Sequence, residues 1–200
     1  MKNILKTILP LSALALALCA CVGISIERPK DFTKYYTLPA AQTAKIDGLQ
    51  NIKVNVFQVR VPAYMSRPQI IQAKENSAEI LIADSDLWAE PIEDALTRAV
   101  IADISSISGS QNVQQPVLAG TDKNAVNLKI EVLKCAGSIG GKLDFKAQYA
   151  LSNSQTSKSF NFETSLKAGE DFNGYVNAIS SAVEDLSLDV CKKIGENFNK

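Results

Sequence analysis

The sequence predicts a single α+β domain of two layers, in which a mostly antiparallel sheet carries two main helices packed on one face. Several segments alternate apolar and polar residues, a pattern typical of strands that bury one side. Two longer segments instead carry apolar residues at helical spacing. The order along the chain is strands, helix, strands, helix, which favours helices collected on one sheet face. A chain of 200 residues is long enough for one core of this kind.

Three strand regions precede the first predicted helix. Residues 35–38 are rich in strand formers. Residues 52–61 predict a long strand whose apolar positions change face at Phe57, which indicates either a bulge or a strand buried on both sides. Residues 69–83 predict a hairpin that turns at 75–77.

The first helix is expected to begin between Asp86 and Pro91. Ser85 or Asp86 can cap a helix, and proline is tolerated only near a helix start. The helix is expected to end at residues 108–110, where glycine lies between two serines. Its predicted apolar stripe consists of Ile92, Leu96, Ala99, Val100, Ile104 and Ile107.

The second half of the domain repeats the pattern of strands followed by a helix. Residues 112–118 predict a weak strand at a sheet edge, because Pro116 interrupts it. Half-buried strands are predicted around residues 126–132, 145–151 and 160–166. The apolar phase of the first of these shifts at Leu133 and Cys135, as a bulge would cause. The apolar stripe of the last helix consists of Tyr175, Ile179, Val183, Leu186, Val190, Ile194 and Phe198.

The N-terminal segment is typical of an exported lipoprotein. Lys2 and Lys6 precede an apolar stretch that ends in Leu-Cys-Ala-Cys at residues 18–21, which has the pattern of a bacterial lipobox. We therefore expect residues 1–20 to be a signal peptide that is removed. Cys21 then carries the lipid, with palmitate among its acyl chains. Residues 21–34 form a tether, and residues 35–200 form the folded domain.

Two other interpretations of this segment remain open. Residues 7–26 contain no charged side chain and are long enough to cross a bilayer as an uncleaved helix. Cleavage after Ala20 by the ordinary signal peptidase would instead release a soluble protein.

Cys135 and Cys191 remain once Cys21 is lipidated. Outside the cytoplasm they could form a disulfide that closes a loop of about 57 residues, worth on the order of 4 kcal/mol. A bulge at Leu133 would turn Cys135 toward the helices, where it could meet Cys191. The alternative is two separate buried thiols, since free cysteine packs as a small apolar residue.

The composition excludes several classes of function. Removal of residues 1–20 leaves nineteen basic and twenty-one acidic side chains, with no basic block of the kind that nucleic acid would require. The chain contains no histidine, so it lacks the usual general base and the usual metal ligand. We expect no catalytic residues, no metal site and no cofactor.

Two segments concentrate specialised side chains. In residues 61–70, Tyr64, Arg67 and Pro68 could form a docking loop for a partner or a lipid headgroup, or they could serve as scaffold. Trp88 and Glu90 precede the helix, where a tryptophan commonly seals the edge of a core. An ion pair between Arg67 and Glu90 would link the two segments.

The order of these segments resembles the ABC-type transport auxiliary lipoproteins. The resemblance rests on the lipobox, on Tyr-Tyr-Thr-Leu at 35–38, on Pro-Ala-Tyr-Met-Ser-Arg-Pro-Gln-Ile at 62–70 and on Trp-Ala-Glu-Pro at 88–91. It covers roughly residues 19–107.

The resemblance implies a non-catalytic lipoprotein of a Gram-negative envelope system that moves lipids between membranes and maintains membrane integrity. Its implied partners are periplasm-spanning MCE-domain proteins and inner-membrane transporter components, and a homo-oligomer is compatible with it. The absence of aspartate after Cys21 favours the outer membrane, facing the periplasm. The alternative is a periplasmic module that holds a lipid or another apolar ligand between its sheet and helices.

Overall fold

The computed structural model describes residues 32–40, 45–74, 77–116 and 124–198. The chain divides into two units, Met1–Phe32 and Thr33–Lys200, and every helix and strand described below lies in the second. The predicted signal peptide and Cys21 lie outside the described residues. Within the described part, no helix is long and apolar enough to cross a membrane.

The described residues of the second unit form eight strands and two helices. The helices are α1 (Ile92–Ser108) and α2 (Phe172–Asn197). The strands are β1 (Lys34–Tyr36), β2 (Val54–Val56), β3 (Gln69–Ala73), β4 (Ile80–Trp88), β5 (Val113–Gln114), β6 (Val126–Gly137), β7 (Lys142–Ser152) and β8 (Ser157–Lys167).

The strands belong to two sheets. One has the order β1-β4-β3, with β1 parallel to β4 and β3 antiparallel to it. The other has the order β5-β2-β6-β7-β8, in which β2 is parallel to both its neighbours and the later strands are antiparallel. The predicted α+β class is confirmed, although the prediction placed the strands in a single sheet. The predicted hairpin is the β3–β4 pair.

Both predicted changes of phase are one-residue bulges. Val56 pairs with Leu128, and the next bridge joins Arg60 to Glu131. Between these two pairs the chain advances four residues after β2 but only three residues in β6, which leaves one extra residue on the first side. The expected long strand at 52–61 is therefore only three residues long in β2, and a bulge separates it from the bridge at Arg60. In β6 the register shifts between Val132 and Lys134, and this shift turns Cys135 into the core.

The two helices begin and end differently. Pro91 occupies the N-cap of α1 without a side-chain cap, so the expected capping by Ser85 or Asp86 is wrong: both are strand residues of β4. Gly109 ends α1 in the left-handed region, with φ of 70°. The Asp171 carboxylate caps α2 by accepting a hydrogen bond of 2.7 Å from the N–H of Gly174.

The helices cover one face of the five-stranded sheet and pack against each other. α1 contacts β2 and β5, whereas α2 contacts β7 and β8. Tyr175 of α2 is fully buried and joins both sheets to this layer. Its hydroxyl donates to the Ile71 carbonyl at 2.9 Å and accepts from the N–H of Gly137 at 3.2 Å. The core is therefore continuous from the small sheet to the helices.

Candidate docking groove

The two segments singled out in the sequence form the walls of one open groove. Its volume is about 500 Å³. One wall comes from the connection before β3, and the other from the end of β4 and the first turn of α1. The lining residues are Ser66, Arg67, Pro68, Trp88, Ala89, Glu90, Pro91 and Glu93.

Backbone hydrogen bonds hold the two walls together. The N–H of Trp88 donates to the Pro68 carbonyl at 2.6 Å, next to the pairing of Gln69 with Leu87. Within the first wall, the N–H of Met65 donates to the Pro62 carbonyl at 2.8 Å and forms a tight turn. Because both walls continue into strands of one hairpin, the groove is built on a rigid element.

The carboxylates of the groove already have partners. The Glu90 carboxylate forms an ion pair with Arg98 of α1, and the Arg98 guanidinium also donates to the Leu38 carbonyl at 3.3 Å. The Glu93 carboxylate accepts a hydrogen bond from the Ser66 hydroxyl, which links the two walls. The groove is therefore not a cluster of unpaired acids.

Arg67 is placed differently from the expected ion pair. It lines the same groove as Glu90, but the salt bridge of Glu90 is with Arg98, so the predicted Arg67–Glu90 pair is wrong. The Arg67 Nε atom is buried and has no hydrogen-bond partner. A buried donor without a partner carries a free-energy penalty, which an acceptor supplied from outside can relieve through side-chain rearrangement.

Trp88 separates the groove from the core. It is 8 % exposed, and it lines both the groove and a small cavity of about 20 Å³. The remaining walls of that cavity are apolar and come from Met65, Ile71, Ile92, Leu96, Cys135 and Ile179. The interpretation that Trp88 seals a core edge agrees with this position, although Trp88 ends a strand and does not start the helix.

Tyr64 does not line the groove. It is half-buried and packs against the hydrophobic core. Burial raises the pKa of its hydroxyl, and the nearby Cys135 thiol adds to the effect. Of the five residues predicted for a docking or structural motif, the structure therefore brings together Arg67, Pro68, Trp88 and Glu90 and leaves Tyr64 beside them.

The expected disulfide is not formed: Cys135 and Cys191 are both free and buried. Cys135 does point toward α2, as the bulge predicts, but the α2 residue that shares its cavity is Ile179. Cys191 lies twelve residues further along α2, which at about 1.5 Å per residue is roughly 18 Å, far beyond the reach of a disulfide. Burial raises the pKa of each thiol to about 12, so both remain protonated.

Sequence reasoning missed two members of this site. Arg98 lies eight residues after Glu90, but Glu90 precedes the helix, so helical spacing gives no signal for the pair. The contact of Glu93 with Ser66 joins different elements and likewise has no local signature. Among the described residues, no group of three or more metal-ligating side chains is close enough to hold a metal ion.

One known protein family matches most of this chain. The family model described as ABC-type transport auxiliary lipoprotein component matches residues 36–191. The chain belongs to this family. The match includes both walls of the groove and extends the resemblance, drawn from residues 19–107, through α2 to Cys191.

Individual relatives agree with this assignment. The chain is 26 % identical over 151 residues to "Intermembrane transport lipoprotein PqiC" of Escherichia coli K12, covering 74 % of each chain, and the protein of that name from Shigella flexneri gives the same values. A crystal structure of an uncharacterized protein superposes with a TM-score of 0.67 at 22 % identity, over 81 % of this chain and 98 % of the other. A Xanthomonas campestris protein superposes with a TM-score of 0.63 at 16 % identity, over 78 % and 92 %. The two structures share the fold.

Proposed function

We propose that the protein is a non-catalytic, lipid-anchored auxiliary component of an envelope-spanning, MCE-type ABC transport system for lipids. In this role it docks the transport conduit at the outer membrane, faces the periplasm and helps to maintain membrane integrity. Family membership across residues 36–191 supports the transport role. The intermembrane transport named for its relatives from Escherichia coli and Shigella flexneri supports movement between membranes.

The groove between the β3 and β4 walls is the observation that carries the docking role. Its carboxylates are engaged with Arg98 and Ser66, whereas the buried Nε of Arg67 has no acceptor. The groove is rigid, partly apolar and open to solvent. A partner segment that fills it and supplies a carbonyl or carboxylate to Arg67 would relieve that penalty once the side chain rearranges to present its Nε atom. Arginine beside an aromatic side chain is a typical composition for the centre of a protein interface.

The anchor accounts for the remaining part of the role. Cys21 precedes β1 by thirteen residues, which reach roughly 40 Å when fully extended. A domain held in this way can stand clear of the lipid headgroups and meet a conduit that spans the periplasm. The residue after Cys21 is Val22, and the lack of an inner-membrane retention aspartate favours the outer membrane.

The alternative of an apolar-ligand carrier receives no support from the cavity beneath Trp88. Its volume is about 20 Å³, whereas one water molecule needs about 10–15 Å³ by this kind of measure. An acyl chain would not fit without displacing core side chains.

Photo-crosslinking in the native envelope tests the docking role. A crosslinking amino acid at the exposed Ala89 should capture an MCE-domain partner, and the same amino acid at Asn161, an exposed residue of β8 outside the groove, should not. Arg67→Ala should lower the yield at position 89 about tenfold, since truncating an interface arginine commonly costs about 1.4 kcal/mol or more.

The matched control is Arg60→Ala, which removes an exposed arginine on the open sheet face. Equal yields from the two arginine variants, or no MCE-domain protein at position 89, would contradict docking through this groove. A crosslink to a second copy would instead identify the groove as a homo-oligomer contact. Separately, Cys21→Ala should leave the domain folded and abolish its contribution to membrane integrity, and a fully active soluble variant would refute the anchoring role.

A further inference from the structure

A second surface lies at the other end of the β3–β4 hairpin, where β4 begins. Ile80, Leu81 and Ile82 are three consecutive large apolar residues with exposed fractions of 41 %, 45 % and 45 %. Successive side chains of a strand point to opposite faces. Since all three are exposed, solvent reaches both faces of the hairpin here. We call residues 80–82 the apolar finger.

The finger belongs to an ordered part of the fold. It pairs in register with β3, as Ile82 does with Ile71. Ile70 and Ile71 are buried in the core and fix the base of the hairpin. Toward its tip, Lys74 and Glu79 form an exposed ion pair at 3.5 Å, so their charges offset each other. Beside the finger, Lys134 and Lys142 line a pocket together with Lys74, and Lys134 is paired with Asp144 at 2.7 Å.

The direction of β1 shows from which end of the small sheet the chain enters the fold. β1 is parallel to β4, and Lys34 pairs with Asp86. The chain therefore enters β1 from the end of the small sheet where the finger lies. Only six steps along β4 lead from Ile80 to Asp86, at most about 20 Å at the usual strand rise. The thirteen steps along the chain from Cys21 to Lys34 can span roughly 40 Å, so an anchored chain can bring the finger to the bilayer.

We propose that the apolar finger is a second membrane contact, which inserts at the headgroup–acyl boundary of the bilayer that holds the lipid anchor. The proposal rests on the anchoring at Cys21 proposed above. The occupant is a lipid surface, because apolar side chains on both faces of a hairpin suit a surrounding apolar medium, whereas a docked protein surface would cover one face. Insertion of this kind also fixes the orientation of a domain that a single flexible tether would leave free.

Tryptophan fluorescence in vesicles tests this contact. The full lipidated protein is reconstituted into phosphatidylethanolamine–phosphatidylglycerol vesicles with brominated acyl chains, which quench tryptophan on contact. Leu81→Trp places the probe in the finger. Leu133→Trp is the matched control, because Leu133 is similarly exposed, at 49 %, but lies on the bulge of β6 in the other sheet. The wild-type protein gives the background from Trp88.

The expected result is that bromination lowers the added emission of Leu81→Trp about twofold and leaves that of Leu133→Trp unchanged, since interfacial side chains sit roughly 5–10 Å into the boundary. Equal quenching of the two variants, or none in either, overturns the proposal. A blue-shifted emission of Leu81→Trp that depends on protein concentration and not on bromine assigns the finger to a second copy and also overturns it.

The anchor is measured in the same samples. Flotation of the protein with the vesicles, together with the mass of the peptide that carries Cys21, reports lipidation independently of the finger. Protein that floats without quenching refutes the finger contact alone. Protein that neither floats nor carries lipid refutes the anchoring that underlies the proposed function. Thermal unfolding of both tryptophan variants verifies that they fold.

Discussion

Tyr175→Phe tests the connection between the two sheets and the helical layer. The side chain is fully buried, and its hydroxyl is placed between the Ile71 carbonyl of β3 and the N–H of Gly137 in β6. The substitution keeps the ring and removes only the oxygen. The N–H of Gly137 then loses its acceptor and the Ile71 carbonyl loses a donor, both inside the protein.

The expected destabilisation follows from these two contacts. A buried polar group left without its partner costs about 1–3 kcal/mol, so we expect a loss of about 2.5 kcal/mol in the free energy of unfolding. With a urea m-value of roughly 2 kcal/mol/M, the midpoint of unfolding should fall by about 1 M. Emission of Trp88, which is largely buried, provides the signal.

The control is Tyr35→Phe, which removes a hydroxyl from a side chain that is 67 % exposed. A change of this type on the surface shifts stability by about 0.5 kcal/mol at most. If the midpoints of the two variants coincide at an unchanged m-value, the hydroxyl of Tyr175 does not connect the sheets as described. A lower m-value for Tyr175→Phe would instead show that the two sheets no longer unfold together.

Two further predictions concern titratable groups. Thiol titration of denatured, unreduced mature protein should find two free thiols per chain, from Cys135 and Cys191. In the native protein neither thiol should react rapidly, because both are buried and protonated. Fewer than two thiols in the denatured protein would indicate a disulfide. The pKa of Tyr36 is raised from 10.0 to about 12, first by burial and then by its hydrogen bond to Asp86. Because the folded state binds this proton more tightly, the stability it contributes is complete below pH 10 and is lost as the pH rises toward 12. Tyr36→Phe should therefore flatten the fall in melting temperature across this window relative to wild type, and an unchanged slope would refute the assignment.

Local patterns predicted most of the elements because each pattern has its own period. The alternation in β6, β7 and β8 and the stripes of α1 and α2 are repeated over enough residues to distinguish strand from helix. The bulge at Leu133 was predictable for the same reason, since two alternating runs meet there out of phase. The division into two sheets was not. It depends on the parallel pairing of β1 with β4, which joins three residues to a segment 52 positions away.

The site was predictable as a pair of segments but not in its contacts. Arg67 and Glu90 do share a groove, yet the salt bridge of Glu90 is with Arg98, because the first turns of α1 bring that guanidinium beside it. The prediction of a disulfide between Cys135 and Cys191 was wrong for a related reason. The loop-closure estimate gives the stabilisation that a disulfide contributes once its two cysteines are in contact. Whether Cys135 and Cys191 are in contact depends on the position of α2 along the sheet, which the sequence pattern does not specify.

The docking groove and the apolar finger lie at opposite ends of one hairpin, so the orientation of one determines the orientation of the other. The groove includes Pro68, just before β3, and Trp88, at the end of β4, whereas the apolar finger pairs with the far end of β3. The four steps from Gln69 to Ala73 separate these ends by roughly 14 Å at the usual strand rise. A finger held in the bilayer therefore turns the groove away from the membrane and toward the periplasm. Binding to vesicles should then leave the yield of the crosslink from position 89 to the MCE-domain partner unchanged. If vesicle binding instead blocks this crosslink, only one of the two contacts exists in the anchored protein.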